Sequence, residues 1–324
     1  MVKVDLIGLG KMGKYHLNIY DELQNIQMMG MCDVSQDILN ELKGKFRYET
    51  FTNYRDLLPK VDAVTVAAPT KYHFEIVKEC LEAGKHVLVE KPITTNLEEA
   101  QKLFEIAERK NLVLHIGHVE RFNGAVQELR KIADNPYLIE SRRVGPFNPN
   151  FAKDSIILDL MIHDIDIIVN MVNAGVVEIQ ASGSKVYSDL PDYASVNLRF
   201  EGNTTAQIVV SRVTQKKDRL MSISQKDAFI TLDYTSQDIN IYRNAQSQHV
   251  FGNKELHYKN EYVLERLFVY KDNPLKQEVK HFINCINGTV NRVVTVAHEL
   301  KSLKLALTID EMLMNGVGSK EVKI

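Results

Sequence analysis

Asp159, His163 and Asp166 stand at i, i+4 and i+7 in an otherwise apolar run, Ile156-Ile-Leu-Asp-Leu-Met-Ile-His-Asp-Ile-Asp-Ile-Ile-Val169. On an α-helix that spacing puts all three on one face. A helix apolar on every side is buried, and an unpartnered carboxylate there is costly. Two readings follow: the charges meet a substrate as acid–base groups, or they close an internal ion-pair network. An imidazole titrates at about pH 6.5 in free peptides, so His163 can take a proton at neutral pH. Asp166, one turn on, is placed to orient that ring.

A second candidate is Lys91. The apolar run His86-Val-Leu-Val89 ends abruptly in Glu90-Lys91-Pro92, and ligands of open parallel sheets bind beyond the carboxyl ends of strands. The proline restricts Lys91 to extended geometry and admits a cis bond. An ammonium there can stabilise a negative charge developing on a ligand oxygen.

The third is Gly8-Leu-Gly-Lys-Met-Gly13, which follows a strand and opens a helix. Its glycines allow a tight turn and close approach of a pyrophosphate to the helix N-terminus. Twenty residues past Gly13, Asp33 ends the second strand. Its carboxylate suits ribose hydroxyls and repels a 2′-phosphate, favouring NAD over NADP.

The elements that must position these residues alternate in the first part of the chain. Strands are predicted at Val2–Gly8, Gln27–Cys32, Ala63–Ala68, His86–Val89 and Leu112–Ile116, with helices at Lys14–Glu22, His73–Ala83 and Leu97–Lys110. This is the βαβ rhythm of a doubly wound parallel sheet, an N-terminal Rossmann domain over 1–120. Beyond it, a helix near Ala125–Ala133, strand material from Tyr137 and the apolar helix come first. Short runs follow at Val196–Phe200, Thr205–Val210, Met221–Ser224, Phe229–Leu232 and Ile239–Tyr242, with turn signals such as Glu201-Gly202-Asn203. They predict a C-terminal α+β domain over 121–324 with largely antiparallel strands, closed by helices at Pro274–Ile286 and Ala297–Met314.

A chain of 324 residues with formal charge −2 has room for two domains and no global pull toward nucleic acid or a membrane. A small-molecule partner is expected. Cys32, Cys80 and Cys285 lie far apart without metal-ligand spacing, which points to a reduced, cytoplasmic setting. No apolar run reaches the length of a membrane span, and a strand from Val2 runs directly into the glycine loop, so a soluble protein that keeps its N-terminus is expected. His73, His86, His115 and His118 share no metal spacing, and no serine sits in a nucleophile elbow. Neither metal nor covalent catalysis is expected.

The glycine loop, Ala67-Ala-Pro-Thr-Lys-Tyr-His73, Ala83-Gly-Lys-His-Val-Leu-Val-Glu-Lys-Pro92 and Asp159-x-x-x-His163-x-x-Asp166, in that order, resemble the glucose-fructose oxidoreductase, inositol dehydrogenase and MocA family across essentially the whole chain. The resemblance implies a Rossmann domain and a second, open-sheet domain that forms the substrate floor and often an oligomer contact, as a homodimer or homotetramer, with the last helix returning to the first domain. It implies that Lys91 contacts the substrate hydroxyl, that Asp159 holds substrate and lysine, and that His163 is the acid–base group. It assigns cofactor contacts to Gly8, Gly10, Lys11, Met12, Gly13, Asp33, Ala68, Pro69, Thr70, His73, Glu90 and Lys91. Many members carry a glycine-rich run before the helix, whereas this chain reads Lys153-Asp-Ser-Ile156, so backbone contacts there are not carried over.

Within the family, Gly117-His-Val-Glu-Arg-Phe-Asn123, Ser141-Arg-Arg-Val-Gly-Pro-Phe147 and Ser211-Arg-Val-Thr-Gln-Lys-Lys-Asp-Arg219 resemble the branch that oxidises the C3 hydroxyl of UDP-N-acetylglucosamine, whose product a partner aminotransferase would consume on the way to lipid A or other surface glycans. A diphosphate calls for guanidinium forks, and Arg121, Arg142, Arg143 and Arg212 are the candidates, with Asn123 beside them. An inositol or simple-sugar dehydrogenase would share the catalytic residues without phosphate contacts. A non-catalytic cofactor sensor would not need Lys91, Asp159 and His163 together.

Overall fold

The computed structural model describes residues 1–149, 152–244, 250–251, 256–257 and 262–324. Its first part alternates β1 (Val2–Ile7), α1 (Lys11–Glu22), β2 (Ile26–Cys32), α2 (Gln36–Lys43), β3 (Glu49–Phe51), β4 (Ala63–Val66), α3 (His73–Glu82), β5 (His86–Glu90), α4 (Leu97–Arg109) and β6 (Leu114–Gly117). The six strands pair in parallel in the order β3-β2-β1-β4-β5-β6. β4 is buried at every position and β1 at all but Lys3, as strands covered on both faces must be. Helix starts follow local chemistry. The Asn96 side chain accepts from the Glu98 and Glu99 amides at 2.8 and 3.1 Å at the start of α4, and Ser35 caps α2. Strand order reverses between β1 and β4, the switch point where such sheets bind ligands.

The chain continues through α5 (Gly124–Ile132), β7 (Leu138–Val144), a π-helical turn (Ile157–Met161), α6 (Ile162–Val172), β8 (Val176–Ser184), β9 (Tyr193–Phe200), β10 (Thr205–Ser211), β11 (Asp218–Gln225), β12 (Ala228–Asp233) and β13 (Asp238–Arg243). It ends with β14 (Val250–Phe251), β15 (Leu256–His257), β16 (Val263–Leu267), α7 (Pro274–Ile286), α8 (Val296–Met314) and β17 (Ser319–Glu321). Among the described residues β14 pairs with β15, and nine of these strands build one sheet, β16-β13-β12-β11-β7-β10-β9-β8-β17. It is antiparallel except where β7 and β10 run parallel. One face packs on α6. The other carries a shallow cavity of about 640 Å³ lined by Glu140, Arg142, Gln207, Leu220, Thr231 and Asn240 among others.

Two compact units result: residues 1–122 with 273–307, and 123–272 with 308–324. The division differs from a contiguous second domain at α7, which serves the first unit together with most of α8, the last helix that the resemblance returns to it. Leu275, Val279, Phe282 and Ile283 of α7 pack with Val2, Val4 and Leu88, and Leu303 of α8 joins Val64, Val87 and Leu114. Burying that apolar face against the sheet outweighs its distance along the chain. No described helix is long and apolar enough to cross a membrane.

Candidate active site

The glycine loop closes as a cradle. Gly8 takes a φ of +92°, and a Cβ there would come 2.6 Å from the Ala68 nitrogen. A Cβ on Gly13 would collide with the Gly8 carbonyl oxygen, whereas one on Gly10 would meet nothing within 4 Å. Gly8 and Gly13 are therefore required by the turn, and Gly10 leaves open space at the start of α1. No side chain caps that helix, so its first amides remain available to an anion. Lys11 and Met12 form its first turn. Across the switch point, Ala68, exposed Pro69 and Thr70 follow β4, Thr70 opening a short 3₁₀ turn.

Asp33 is already engaged by the backbone: one carboxylate oxygen accepts from the Leu9 amide at 2.7 Å, the other from Ser35 at 2.9 Å. Each oxygen keeps a lone pair. The contacts orient the carboxylate beside the loop, where ribose hydroxyls can reach it. The donor set fits a dinucleotide.

At the end of β5, Glu90 is buried, Lys91 is half-buried, and the Lys91–Pro92 bond is cis. The Glu90 carboxylate meets His16 Nε2 at 2.6 Å. Burial works against its charge, but His16 and the Lys91 ammonium overcome it and hold Glu90 below the ordinary carboxylate range. This changes the part expected of Glu90: its carboxylate serves a buried pair. His73 is likewise buried, with Nδ1 2.9 Å from the Pro92 carbonyl and Nε2 2.7 Å from that of Ala68. Its ring braces the cofactor loop. Burial lowers its pKa against the opposing pull of those carbonyls.

In the second unit the apolar helix sorts its charges by depth. Ser155 begins it, its hydroxyl accepting from Ile157 and Leu158 at 3.2 and 3.3 Å. Asp159 lies in the π-helical turn and His163 in the first turn of α6, both half-buried. Asp164 is fully buried, where Arg143 Nε reaches it at 2.7 Å and Ser141 Oγ at 2.8 Å. Asp166 is buried too and accepts from the Asn170 side-chain amide at 3.1 Å. Asp164 thus belongs to an internal ion pair, while Asp159 and His163 lie nearer the surface.

The arginines correct an expectation. Arg121 makes two 2.6 Å bonds to Glu299, and both side chains are buried. Arg143 is committed to Asp164. Arg212 donates to Asp192 at 2.8 Å and to the Asp154 carbonyl at 2.9 Å, tying down the stretch ahead of the apolar helix. Three of the four guanidiniums read as diphosphate forks thus neutralise buried carboxylates, which would be left charged and unpaired if the arginines turned to a ligand. Arg142 alone of the four is exposed, and strand alternation sends it to the opposite face from Arg143. Asn123 is also occupied: it caps α5 at Ala125 and donates to the Tyr234 carbonyl at 3.0 Å. What the motifs did not single out is His16, although it stands one turn past Gly13 on the inner face of α1.

A cradled glycine loop at the switch point of a parallel sheet, with a lysine at the next strand end, defines a dinucleotide-dependent oxidoreductase. The chain belongs to the GFO/IDH/MocA family: residues 2–118 match its oxidoreductase, NAD-binding Rossmann-fold model and residues 120–230 its C-terminal domain. It is an oxidoreductase acting on CH–OH groups. The chain is 33% identical to the UDP-N-acetylglucosamine 3-dehydrogenase of Acidithiobacillus ferrooxidans over 74% of its own length and 77% of that protein's. The solved structure of the enzyme of that name from the same organism superposes with a TM-score of 0.88 at 28% identity, covering 98% of this chain and 99% of that one. Myo-inositol 2-dehydrogenase of Thermotoga maritima is 28% identical over 89% of each chain.

Proposed function

We propose that the protein oxidises a secondary hydroxyl of a sugar with NAD, the substrate being UDP-N-acetylglucosamine and the product its 3-keto form. The observation that carries this reading is the similarity to the Acidithiobacillus enzyme, which runs through both units. NAD, when bound, accepts the hydride from C3. His163 takes the hydroxyl proton, leaving a carbonyl, so alcohol and NAD become ketone, NADH and a proton. Lys91 donates a hydrogen bond to the oxygen as it loses that proton, and Asp159 holds both sugar and lysine. The Asp33 carboxylate beside the glycine loop favours NAD over NADP by repelling a 2′-phosphate.

Oxidation to the ketone runs uphill, so an aminotransferase that consumes the product completes the reading. The exposed sheet face, with Leu220 and Phe229 on it, suits a homodimer or homotetramer, and three free thiols suit the cytoplasm. A second reading, an inositol or simple-sugar dehydrogenase, is favoured by one observation: Arg121, Arg143 and Arg212 are committed to carboxylates within the chain, and a neutral polyol needs no diphosphate fork. NADH formation from NAD and UDP-N-acetylglucosamine, with the aminotransferase present to draw off product, tests the first reading. No NADH above the sugar-free control contradicts it, and saturable NADH formation from a free cyclitol alone establishes the second.

A further inference from the structure

Lys91 stands between two residues that buried histidines of the first unit hold in place. On one side, the Glu90 carboxylate meets His16 Nε2 at 2.6 Å, the two side chains being 9% and 0% exposed. On the other, the Pro92 carbonyl meets His73 Nδ1 at 2.9 Å. Both histidines come from segments that build the cofactor cradle. His16 lies on α1, which opens at the glycine loop, and His73 begins α3 with its Nε2 against the Ala68 carbonyl at 2.7 Å. Each arm therefore links a neighbour of Lys91 to one lip of the cradle.

Packing alone does not explain the choice of residue. His16 Nδ1 is buried without a hydrogen-bond partner among the described residues, a cost that an apolar side chain of similar size would avoid. Room has also been kept for the Glu90 carboxylate, since a Cβ on Gly117 would come 3.1 Å from its Oε2. A neutral imidazole donates from one nitrogen only. His16 therefore has one donor to commit and turns its Nε2 to Glu90, whereas His73 faces a carbonyl with each nitrogen and, when neutral, donates to one of the two.

We infer that His16 and His73 are positioning residues that hold Lys91 in register with the cofactor cradle by fixing Glu90 and Pro92. This rests on the reading that Lys91 acts on the substrate hydroxyl. Displacing a reacting group by about 1 Å can cost about 100-fold in rate, so the arms matter to turnover more than to cofactor affinity.

The test contrasts His16→Gln, which keeps a donor near the place of Nε2, with His16→Leu, which keeps bulk and loses the donor. Turnover is measured with NAD and UDP-N-acetylglucosamine or myo-inositol, and cofactor affinity by NADH fluorescence. His16→Leu is expected to lower kcat about 100-fold and His16→Gln about 5-fold or less, with NADH affinity within about 3-fold in both. Adding Glu90→Gln to His16→Leu should cost little more, since the two act through one contact. Full activity in His16→Leu alongside a damaged His16→Gln would mean a packing role and overturn the inference. Crystals of wild type and both variants with NADH give a readout that needs no turnover: Lys91 shifts by about 1 Å or more in the leucine variant only. An unmoved Lys91 overturns the inference whatever the substrate. A shifted one, in an enzyme that oxidises neither compound, sinks the substrate reading and supports the positioning role. His73→Asn and His73→Leu provide the same contrast on the other arm should His16→Leu fail to fold.

Discussion

The end of β5 and the helical stretch from Ile157 to Val172 both carry ionisable groups through apolar chain, and they settle those groups in parallel ways from opposite starting points. At β5 the buried carboxylate, Glu90, is met by a histidine from α1. Its neighbour Lys91 is half-buried. In the helix the buried carboxylate, Asp164, is met by an arginine from β7. Its neighbour His163 is half-buried. The difference lies in the partner: a titratable imidazole braces the first, a permanently charged guanidinium the second. A charge in an apolar run is thus no sign of chemistry by itself. On the proposed function, depth separates the residue that frames the site from the one beside it that acts.

If that division is right, the half-buried members should govern rate and the buried ones stability. His163→Asn should lower kcat by about 100- to 10,000-fold. Lys91→Met should lower it by about 100- to 1000-fold. Neither should move the denaturant midpoint greatly, and NADH titration should find affinity retained. Comparable losses of stability in these two variants would break the comparison.

Arg143→Met is the converse case. It leaves Asp164 buried and unpaired, which should cost about 3–5 kcal/mol in denaturant unfolding, and Asp164→Leu in the same chain should recover most of it.

Asp5 offers a sharper contrast, since it is a buried carboxyl with no basic side chain hydrogen-bonded to it among the described residues. Its Oδ1 accepts only from the Leu6 amide at 2.6 Å, and Oδ2 has no hydrogen-bond partner among the described residues. Burial pushes its pKa from 3.8 up to about 8, with the Leu6 amide opposing and Glu49 adding a little. The folded state therefore holds a proton that the unfolded state has released across that window. Stability contributed by Asp5 should be full at or below pH 3.8, fall as pH rises, and level off above about 8. Asp5→Asn should raise the melting temperature at pH 8 and flatten this part of the profile. An unchanged profile would contradict the burial argument. The smallest effect expected is Asn96→Ala, which removes the cap of α4 at a cost of about 1 kcal/mol in the same unfolding measurement.

Much of the first unit is legible in the sequence because its strands are continuous apolar runs and its cofactor loop is local. β3 and α2 are not: three residues, Glu49–Phe51, carry no period, and α2 buries only Leu39 and Leu42. The arginines could not be read correctly, since whether a guanidinium is free depends on a partner elsewhere in the chain. Glu299 is 178 residues from Arg121, Asp164 is 21 from Arg143, and Asp192 is 20 from Arg212. The charged helix is legible as a peculiarity. Its division into a paired Asp164 and half-buried Asp159 and His163 is not, because the π-helical turn at Ile157–Met161 changes the register that an ideal helix would impose. His16 left a faint signal, a polar residue on the apolar face of α1, that only its contact with Glu90 explains.

The most direct measurement uses UDP-N-acetylglucosamine deuterated at C3, with NAD, and hydroxylamine to trap the ketone. The account predicts that the reduced cofactor recovered by mass spectrometry carries one deuterium and that its formation is slower than from unlabelled sugar. Reduced cofactor without the label, or none at all while a cyclitol is oxidised, would contradict it.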